Sequence, residues 1–432
     1  MPTNETHNLK VILRVRPLLR RESKQTKRNV IRIVDENTII FDPTDGEKTV
    51  ADYDISRSYA SFARKNLNLS FDRVFGSEAT NFDIFEYAMR PLVSAVLNGY
   101  NCSAFVYGVT GAGKTYTMLG TDRQRGVVLS TIDELFKQIE PLSGKTSFDV
   151  RISFVEVYNE QVRNLLTKSG PLKLREHSTG VVIDGVAPQP ICCCDDVIAL
   201  LSLGNHNRAQ HPTDANYKSS RSHAIFQVHV VSTNKKSGLS RVVKLSMIDL
   251  AGSERGSNAS HMDQRFKEGT CINKSLLALG NCIKKLAEGS KHIPYRDSNM
   301  TRILKDSLGG NCRTVMIANV SPAERSYNET YNTLIYASSA RQIRTAAATK
   351  TELQTNLPKE YYANNLAAQI SETEQLQERI QSLEKQVSSQ AKVIENYENS
   401  QHGLVKLVKK IETLKRKIDK SYHDLLSTRQ RK

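Results

Sequence analysis

The sequence predicts an α/β core followed by a coiled coil, and three observations carry that expectation. Short apolar runs of strand character alternate with helical periodicity over residues 9–344. One such run, Ser103-Ala104-Phe105-Val106-Tyr107, opens directly into Gly108-Val109-Thr110-Gly111-Ala112-Gly113-Lys114-Thr115. From about residue 373 apolar side chains recur three and four apart, as in a helical seam.

Taken in order, residues 1–8 are a polar extension, and MPTNETHNLK lacks the apolar core of a secretory signal. Leu9 to Val15 (LKVILRV) alternates as a half-buried strand does. Thr80 can cap a helix whose third position is Asp83. Phe82, Phe85, Ala88, Leu92 and Ala95 continue that helix, which Pro91 should kink or interrupt and Gly99 should end. Val242 to Asp249 reads as a second strand, finishing on an aspartate. Glu324 to Ile343 closes the core as a helix, with Tyr327, Tyr331, Leu334 and Ala337 on one face.

Residues 345–372 form a small, polar neck interrupted by Pro358, and residues 373–432 hold about seven heptads. Position a takes Ile380, Val387, Ile394, Gln401, Val408, Lys415 and Tyr422. Position d takes Leu376, Leu383, Gln390, Tyr397, Leu404, Ile411, Ile418 and Leu425. β-Branched residues at the early a positions with leucine at d suggest a parallel two-stranded coil and a homodimer. A single amphipathic helix lying on the core is the alternative. Gln401 and Gly403 mark a weak point. The basic residues from Lys406 onward are either an anion-binding surface or a solvated face.

The 432-residue chain has a formal net charge of +16 and 39% hydrophobic residues. No apolar run reaches the roughly 20 residues that a membrane-spanning helix needs. Of seven cysteines, Cys192, Cys193 and Cys194 are consecutive and the rest lack metal-ligand spacing. Reduced thiols in an intracellular protein are expected rather than disulfides or zinc. The charge excess points to a polyanionic partner: nucleic acid, anionic membrane or an acidic protein.

Motifs narrow the choice. The glycine stretch has the form G-x-x-x-x-G-K-[ST] between a strand and a helix. Backbone N–H groups from Gly108 to Gly113 can approach phosphates, Lys114 can reach the β- and γ-phosphates, and the Thr115 hydroxyl can bind Mg²⁺. In Asp249-Leu250-Ala251-Gly252-Ser253-Glu254, Asp249 suits an outer contact to Mg²⁺ and Gly252 N–H can sense the γ-phosphate. Asn216-Tyr217-Lys218-Ser219-Ser220-Arg221-Ser222-His223 sets hydroxyls around an arginine able to pair with Glu254. No Asn-Lys-x-Asp element for guanine is found.

Together YGVTGAGKTYTM, NYKSSRSH and DLAGSE closely resemble the motor domain of the kinesin superfamily. RVRP (Arg14 to Pro17), SFVEVYNE, INKSLLALGN and HIPYRDS agree in order and spacing over about residues 9 to 345. HPTDAN and the GAGKT form are most similar to the kinesin-8 class. The resemblance implies a P-loop NTPase motor core that is a microtubule-stimulated ATPase using ATP and Mg²⁺, in the cytoplasm on the microtubule cytoskeleton. Plus-end-directed movement and control of microtubule length are what the class implies. Arg14 and Pro17 would lie against adenine with Tyr116 stacking opposite. Thr115 and Ser220 would hold Mg²⁺, Ser219 would place the γ-phosphate or attacking water, and Arg221 and Glu254 would bridge the two switches. Asn273 would report nucleotide state to a helix carrying Lys284, Lys285, Lys291, His292 and Arg296 to tubulin, an acidic partner that accounts for the charge without nucleic acid.

There are departures from the family pattern. Asn299 and Met300 stand where it has Lys-Leu, which removes one tubulin contact. Ser338 and Ser339 replace Asn-Arg. The neck segment Arg344 to Thr351 is alanine-rich, with Lys350 at the asparagine latch, so docking there would bury little apolar area. The loop from Asp45 to Leu69 is either a tubulin contact or a surface insertion. The rival reading is a non-processive or inactive kinesin-like protein that binds or crosslinks microtubules.

Overall fold

The computed structural model describes residues 9–25, 28–43, 66–121, 123–177, 180–209, 220–254, 263–310, 312–344, 353–354, 377–390 and 404–429. The chain divides into two compact units, Met1–Thr355 and Asn356–Lys432.

Among the described residues a ten-stranded sheet runs through the first unit. Its main strands are β1 (Leu9–Val15), β2 (Arg73–Phe75), β3 (Cys102–Tyr107), β4 (Thr146–Tyr158), β5 (Gln161–Asn164), β6 (His223–Asn234), β7 (Leu239–Asp249) and β8 (Arg313–Val320). They lie in the order β5-β4-β6-β7-β3-β8-β1-β2. β3 is parallel to β7 and β8, and β1 to β8 and β2. β4, β5 and β6 pair antiparallel. Parallel strands are covered on both faces and so read as continuous apolar runs. That corrects the half-buried expectation for β1, which is buried at every position except Lys10. All six residues of β3 are buried too.

Alternate residues of these strands feed two cores, since successive side chains leave opposite faces. Ile12, Ala104 and Val106 join one cluster; Val11, Leu13, Phe105 and Tyr107 join the other. Among the helices of this unit are α1 (Arg90–Leu97), α2 (Lys114–Met118), α3 (Val127–Ile139), α4 (Cys194–Ala209), α5 (Asp263–Ala287) and α6 (Tyr327–Arg341). Residues of α1, α3 and α4 complete the first cluster, those of α5 and α6 the second. Thr80 and Asp83 form the capping box expected of them. Pro91 does not end that helix: a π turn at Phe85–Met89 precedes it, and the proline falls in the first turn of α1, where its missing N–H costs no ladder bond.

Strand β9 (Leu353–Gln354) adds antiparallel to the start of β7, Ser240 opposite Leu353. Residues 345–352, with Lys350 and the alanines, lie outside the described residues, as does the loop over residues 44–65.

The second unit contains helices at residues 377–390 and at α7 (Leu404–Arg429). Ile380 is 9% exposed, and Leu383, Val387 and Gln390 are half-buried along one stripe. In α7 the half-buried stripe is Leu407, Ile411, Leu414, Ile418 and Ser421. Val408 and Tyr422 are 44% and 55% exposed, and Lys415 is exposed. These three residues expected at position a lie off that stripe, whereas Ile411 and Ile418, expected at position d, lie on it. With Ile411 and Ile418 at a and Leu414 at d along this stripe, Ile411 follows Val387 by 24 residues, three more than three heptads, so the half-buried stripe changes phase between the two helices.

Candidate functional site

The phosphate loop turns between β3 and α2. Gly108 has φ 149°, and a Cβ there would run into the Asn319 carbonyl oxygen; Gly113 caps α2 at φ 99°, in the left-handed region. Lys114 is 6% exposed, its Nζ donating to the carbonyls of Gly108 (2.8 Å) and Val109 (3.1 Å). Burial lowers its pKa, against the opposing pull of Asp249 and Glu254. Thr115 Oγ1 donates to Asp249 Oδ2 at 2.8 Å. The other oxygen, Asp249 Oδ1, is buried and accepts no hydrogen bond among the described residues. A spare carboxylate acceptor beside the Thr115 hydroxyl fits a hydrated Mg²⁺, which prefers few protein ligands and retains waters.

From α4, Arg208 reaches the same aspartate. It is 4% exposed, donates to Ser222 Oγ (3.0 Å) and Ser222 O (2.7 Å), and stands 3.5 Å from Asp249 Oδ2. After Asp249 the chain folds onto the phosphate loop. Gly252 N donates to Ser220 O (2.8 Å) and Ser253 N to Gly108 O (3.1 Å). A Cβ on Gly252 would strike the Thr110 hydroxyl and the Glu254 carboxylate. Glu254 Oε2 accepts from Thr110 N at 2.9 Å and Oε1 from the Thr110 hydroxyl. In this conformation, then, the Glu254 carboxylate is engaged by the phosphate loop. Ser220 and Arg221 are half-buried before β6, and Ser219 lies outside the described residues. His223 is 3% exposed; its Nδ1 accepts from Ala251 N (3.0 Å) and its Nε2 lies 2.8 Å from Ser275 Oγ. Burial, reinforced by Arg208 and Lys114, lowers its pKa to about 3 and keeps it neutral.

Arg14 differs from expectation. Its guanidinium donates to Asn81 Oδ1 (2.6 Å), Thr117 Oγ1 (2.7 Å) and Ala79 O (3.3 Å), and lies 5.1 Å from the centre of the Tyr116 ring. At 6% exposure it is an internal strut behind Tyr116, not an open face for a base. Pro17 and Tyr116 are the exposed members of the trio. Arg16 was missed. Its Nε donates to Gly111 O (2.8 Å) and its other nitrogens grip Glu22 at 2.7 Å each. Those bonds are the main reason the Glu22 carboxyl drops to about 2. Asn319 was missed too: it is fully buried and donates to Thr117 Oγ1 at 2.9 Å. A polar residue inside the apolar run Val315 to Val320 was the available signal. Arg208 had none beyond its nearness to the hydroxyl-rich motif.

Lys284, Lys285, Lys291, His292 and Arg296 are all exposed, at the end of α5 and in the loop after it. Lys285 pairs with Glu288 at 3.2 Å. Arg296 pairs with Glu176, which also meets Lys305 (3.2 Å) and Arg302 (3.8 Å). Asn299 turns inward: its Nδ2 donates to Glu160 O and its backbone N to Glu160 Oε2, each at 2.7 Å. The residue that replaces a family lysine thus anchors a short helix, Asn299–Ile303.

The family model for the kinesin motor domain matches residues 14–343. The chain belongs to the kinesin motor-domain family. This kinesin is 43% identical to the kinesin-like protein KIF18A of Mus musculus over 393 residues, 88% of this chain and 44% of that protein. It is 46% identical to KIF18B of Homo sapiens over 349 residues, 79% of this chain and 41% of that protein. With KIN-8A of Oryza sativa subsp. japonica it shares 43% identity over 342 residues, 78% of this chain and 43% of that protein. These relatives agree with the kinesin-8 resemblance, and the chain spans less than half of their length. Among solved structures, one described as a fast kinesin superposes with a TM-score of 0.71 at 34% identity, covering 82% of this chain and 96% of the other. A KIF14 dimer with both heads bound, in complex with a microtubule and AMP-PNP, gives 0.70 at 34% identity, covering 82% and 98%.

Proposed function

We propose that this kinesin is a microtubule-stimulated ATPase that converts ATP hydrolysis into movement along microtubules, as a homodimer in the cytoplasm. The observation that carries the reading is the meeting of two segments distant in sequence: the phosphate loop, with Lys114 closed into it and Thr115 bonded to Asp249, and the stretch after Asp249, whose Gly252 and Glu254 lie on Thr110. Lys114 would exchange its two loop carbonyls for phosphate oxygens, regaining charge-assisted bonds in place of neutral ones. When bound, Mg²⁺ would neutralise charge on the phosphates between the hydroxyls of Thr115 and Ser220, with Asp249 behind them. Gly252 can lie against Thr110 only because it has no side chain, so its N–H can report the γ-phosphate. Pro17 and Tyr116 would flank the base. Lys284, Lys285, Lys291, His292 and Arg296 would face tubulin, and control of microtubule length would be the role of the class.

Turnover is to be measured with and without microtubules, alongside imaging on polarity-marked microtubules with ATP and with a non-hydrolysable analogue. Stimulated turnover and directed movement in ATP, with static binding in the analogue, are expected. Nucleotide-independent binding without stimulated turnover would replace the motor by a crosslinking protein.

A further inference from the structure

We infer that His223 is a positioning residue that couples the phosphate-sensing segment to α5 through Ala251 and Ser275; this rests on the motor reading above. The bond to Ala251 fixes the chemistry of the ring. A backbone N–H can only donate, so Nδ1 must accept, and the proton sits on Nε2. Nε2–H therefore donates to the Ser275 hydroxyl at 2.8 Å. One rigid, buried ring thus joins three elements: the start of β6, the peptide next to Gly252, and the helix that ends in Lys284 and Lys285.

Position makes the bridge consequential. Ala251 is fully buried between Asp249, which bonds Thr115, and Gly252, which abuts Thr110. Any displacement of that peptide on gain or loss of a phosphate must carry the imidazole or break its bond. Ser275, 2% exposed, is the α5 end of the same connection, less than three helical turns from Lys284. A broken bridge leaves buried donors and acceptors unmet at both ends, so the two ends favour moving together.

Coupling of two sites is a ratio of affinities and is reciprocal. The test is microtubule affinity of the whole chain in ADP and in a non-hydrolysable ATP analogue, for wild type, Ser275→Ala, His223→Asn and the double variant. His223→Asn retains an acceptor near Nδ1 but cannot reach Ser275. The wild-type ratio of the two affinities should be at least about tenfold, inside the range usual for allosteric pairs, and should fall to within about twofold in each single variant. The double variant should fall no further, because both changes cut one link. Nucleotide affinity and basal turnover of Ser275→Ala should stay near wild type, a readout that general loss of folding would not spare. An unchanged ratio in Ser275→Ala, or additive losses in the double variant, overturns the coupling role alone. A wild type whose microtubule affinity ignores nucleotide overturns the motor reading and this inference together.

Discussion

Lys114 is closed inside its own loop, its ammonium desolvated and held by two backbone carbonyls. Phosphate would offer it far stronger partners, so Lys114→Ala should weaken ATP binding by about 10–100-fold, the range for losing hydrogen bonds to a charged group. Nucleotide titration with a fluorescent analogue reads this. Glu254→Ala should behave differently, because a carboxylate can give no bond to phosphate and its loss leaves the Thr110 N–H and the rest of the cradle in place: binding should stay within a few-fold while stimulated turnover falls by about 100-fold or more, as for one lost transition-state contact. Glu22 gives a pH signature. Its side chain is 1% exposed and its carboxyl is lowered from 4.5 to about 2 by Arg16, with further help from Leu19 N–H and Arg325. A lowered acid contributes stability that is complete above the unfolded value of 4.5 and disappears as pH falls toward 2. Glu22→Gln should therefore cost up to about 3 kcal/mol in urea unfolding at pH 7, at 1.36 kcal/mol per pH unit of displacement. The gap from wild type should narrow only below pH 4.5. A constant gap down to the lowest workable pH would refute the ion-pair account.

At the scale of single elements, the proposed basic interface is shaped by one hairpin. The strands Leu174–His177 and Gly180–Ile183 form a hairpin that places Glu176 among Arg296, Arg302 and Lys305, and the first of these is the cation expected to face tubulin. Under the proposed function Glu176 would be an internal counter-ion competing with tubulin carboxylates. Glu176→Gln should tighten microtubule binding about two- to fivefold at low salt, as expected for exposed pairs, and the gain should shrink as ionic strength rises. Weaker binding in co-sedimentation would mean that the carboxylate orients the cations instead. The same elements mark how much could be read from the sequence. The phosphate loop, the Thr80–Asp83 box and the aspartate ending β7 were legible because each is local chemistry, written within a few consecutive residues. Arg16, Arg208 and Asn319 were not. Arg16 reaches Gly111 across 95 residues, Arg208 reaches Asp249 across 41 and Asn319 reaches Thr117 across 202, and only the tertiary packing of strands and helices brings them there. The internal bonds of Arg14 were not legible for a related reason: RVRP names the residues but not that β1 lies inside the sheet, which brings its arginine onto Asn81 and Thr117.

At the scale of the molecule the open matter is self-association, and the phase change in the second unit shapes it. With Ile380 and Val387 at a, Arg379 falls at g and Glu384 at the following e, an attractive pair between two parallel chains. With the α7 stripe as the seam, Ile411 at a and Leu414 at d, Lys410 takes g and Lys415 takes the following e, so two parallel copies would set like charges together. If two chains pair in parallel, the described parts of the two helices would therefore not share one register: the first helix would favour a parallel partner, and α7, rich in lysine, would resist one. Self-association should be weak, with a dissociation constant on the order of micromolar, about −8 kcal/mol. Ile380→Asp with Val387→Asp should abolish it, because each would place an unpaired charge in the seam. Lys415→Glu should tighten it, by converting the Lys410 contact from repulsion to attraction. Raising salt should tighten the wild type and loosen Lys415→Glu, since screening removes repulsion in one and attraction in the other. Sedimentation equilibrium on the three chains at two salt concentrations separates these outcomes. If Lys415→Glu leaves the wild-type association unchanged, α7 does not lie along a parallel dimer, and pairing is confined to the helix at residues 377–390.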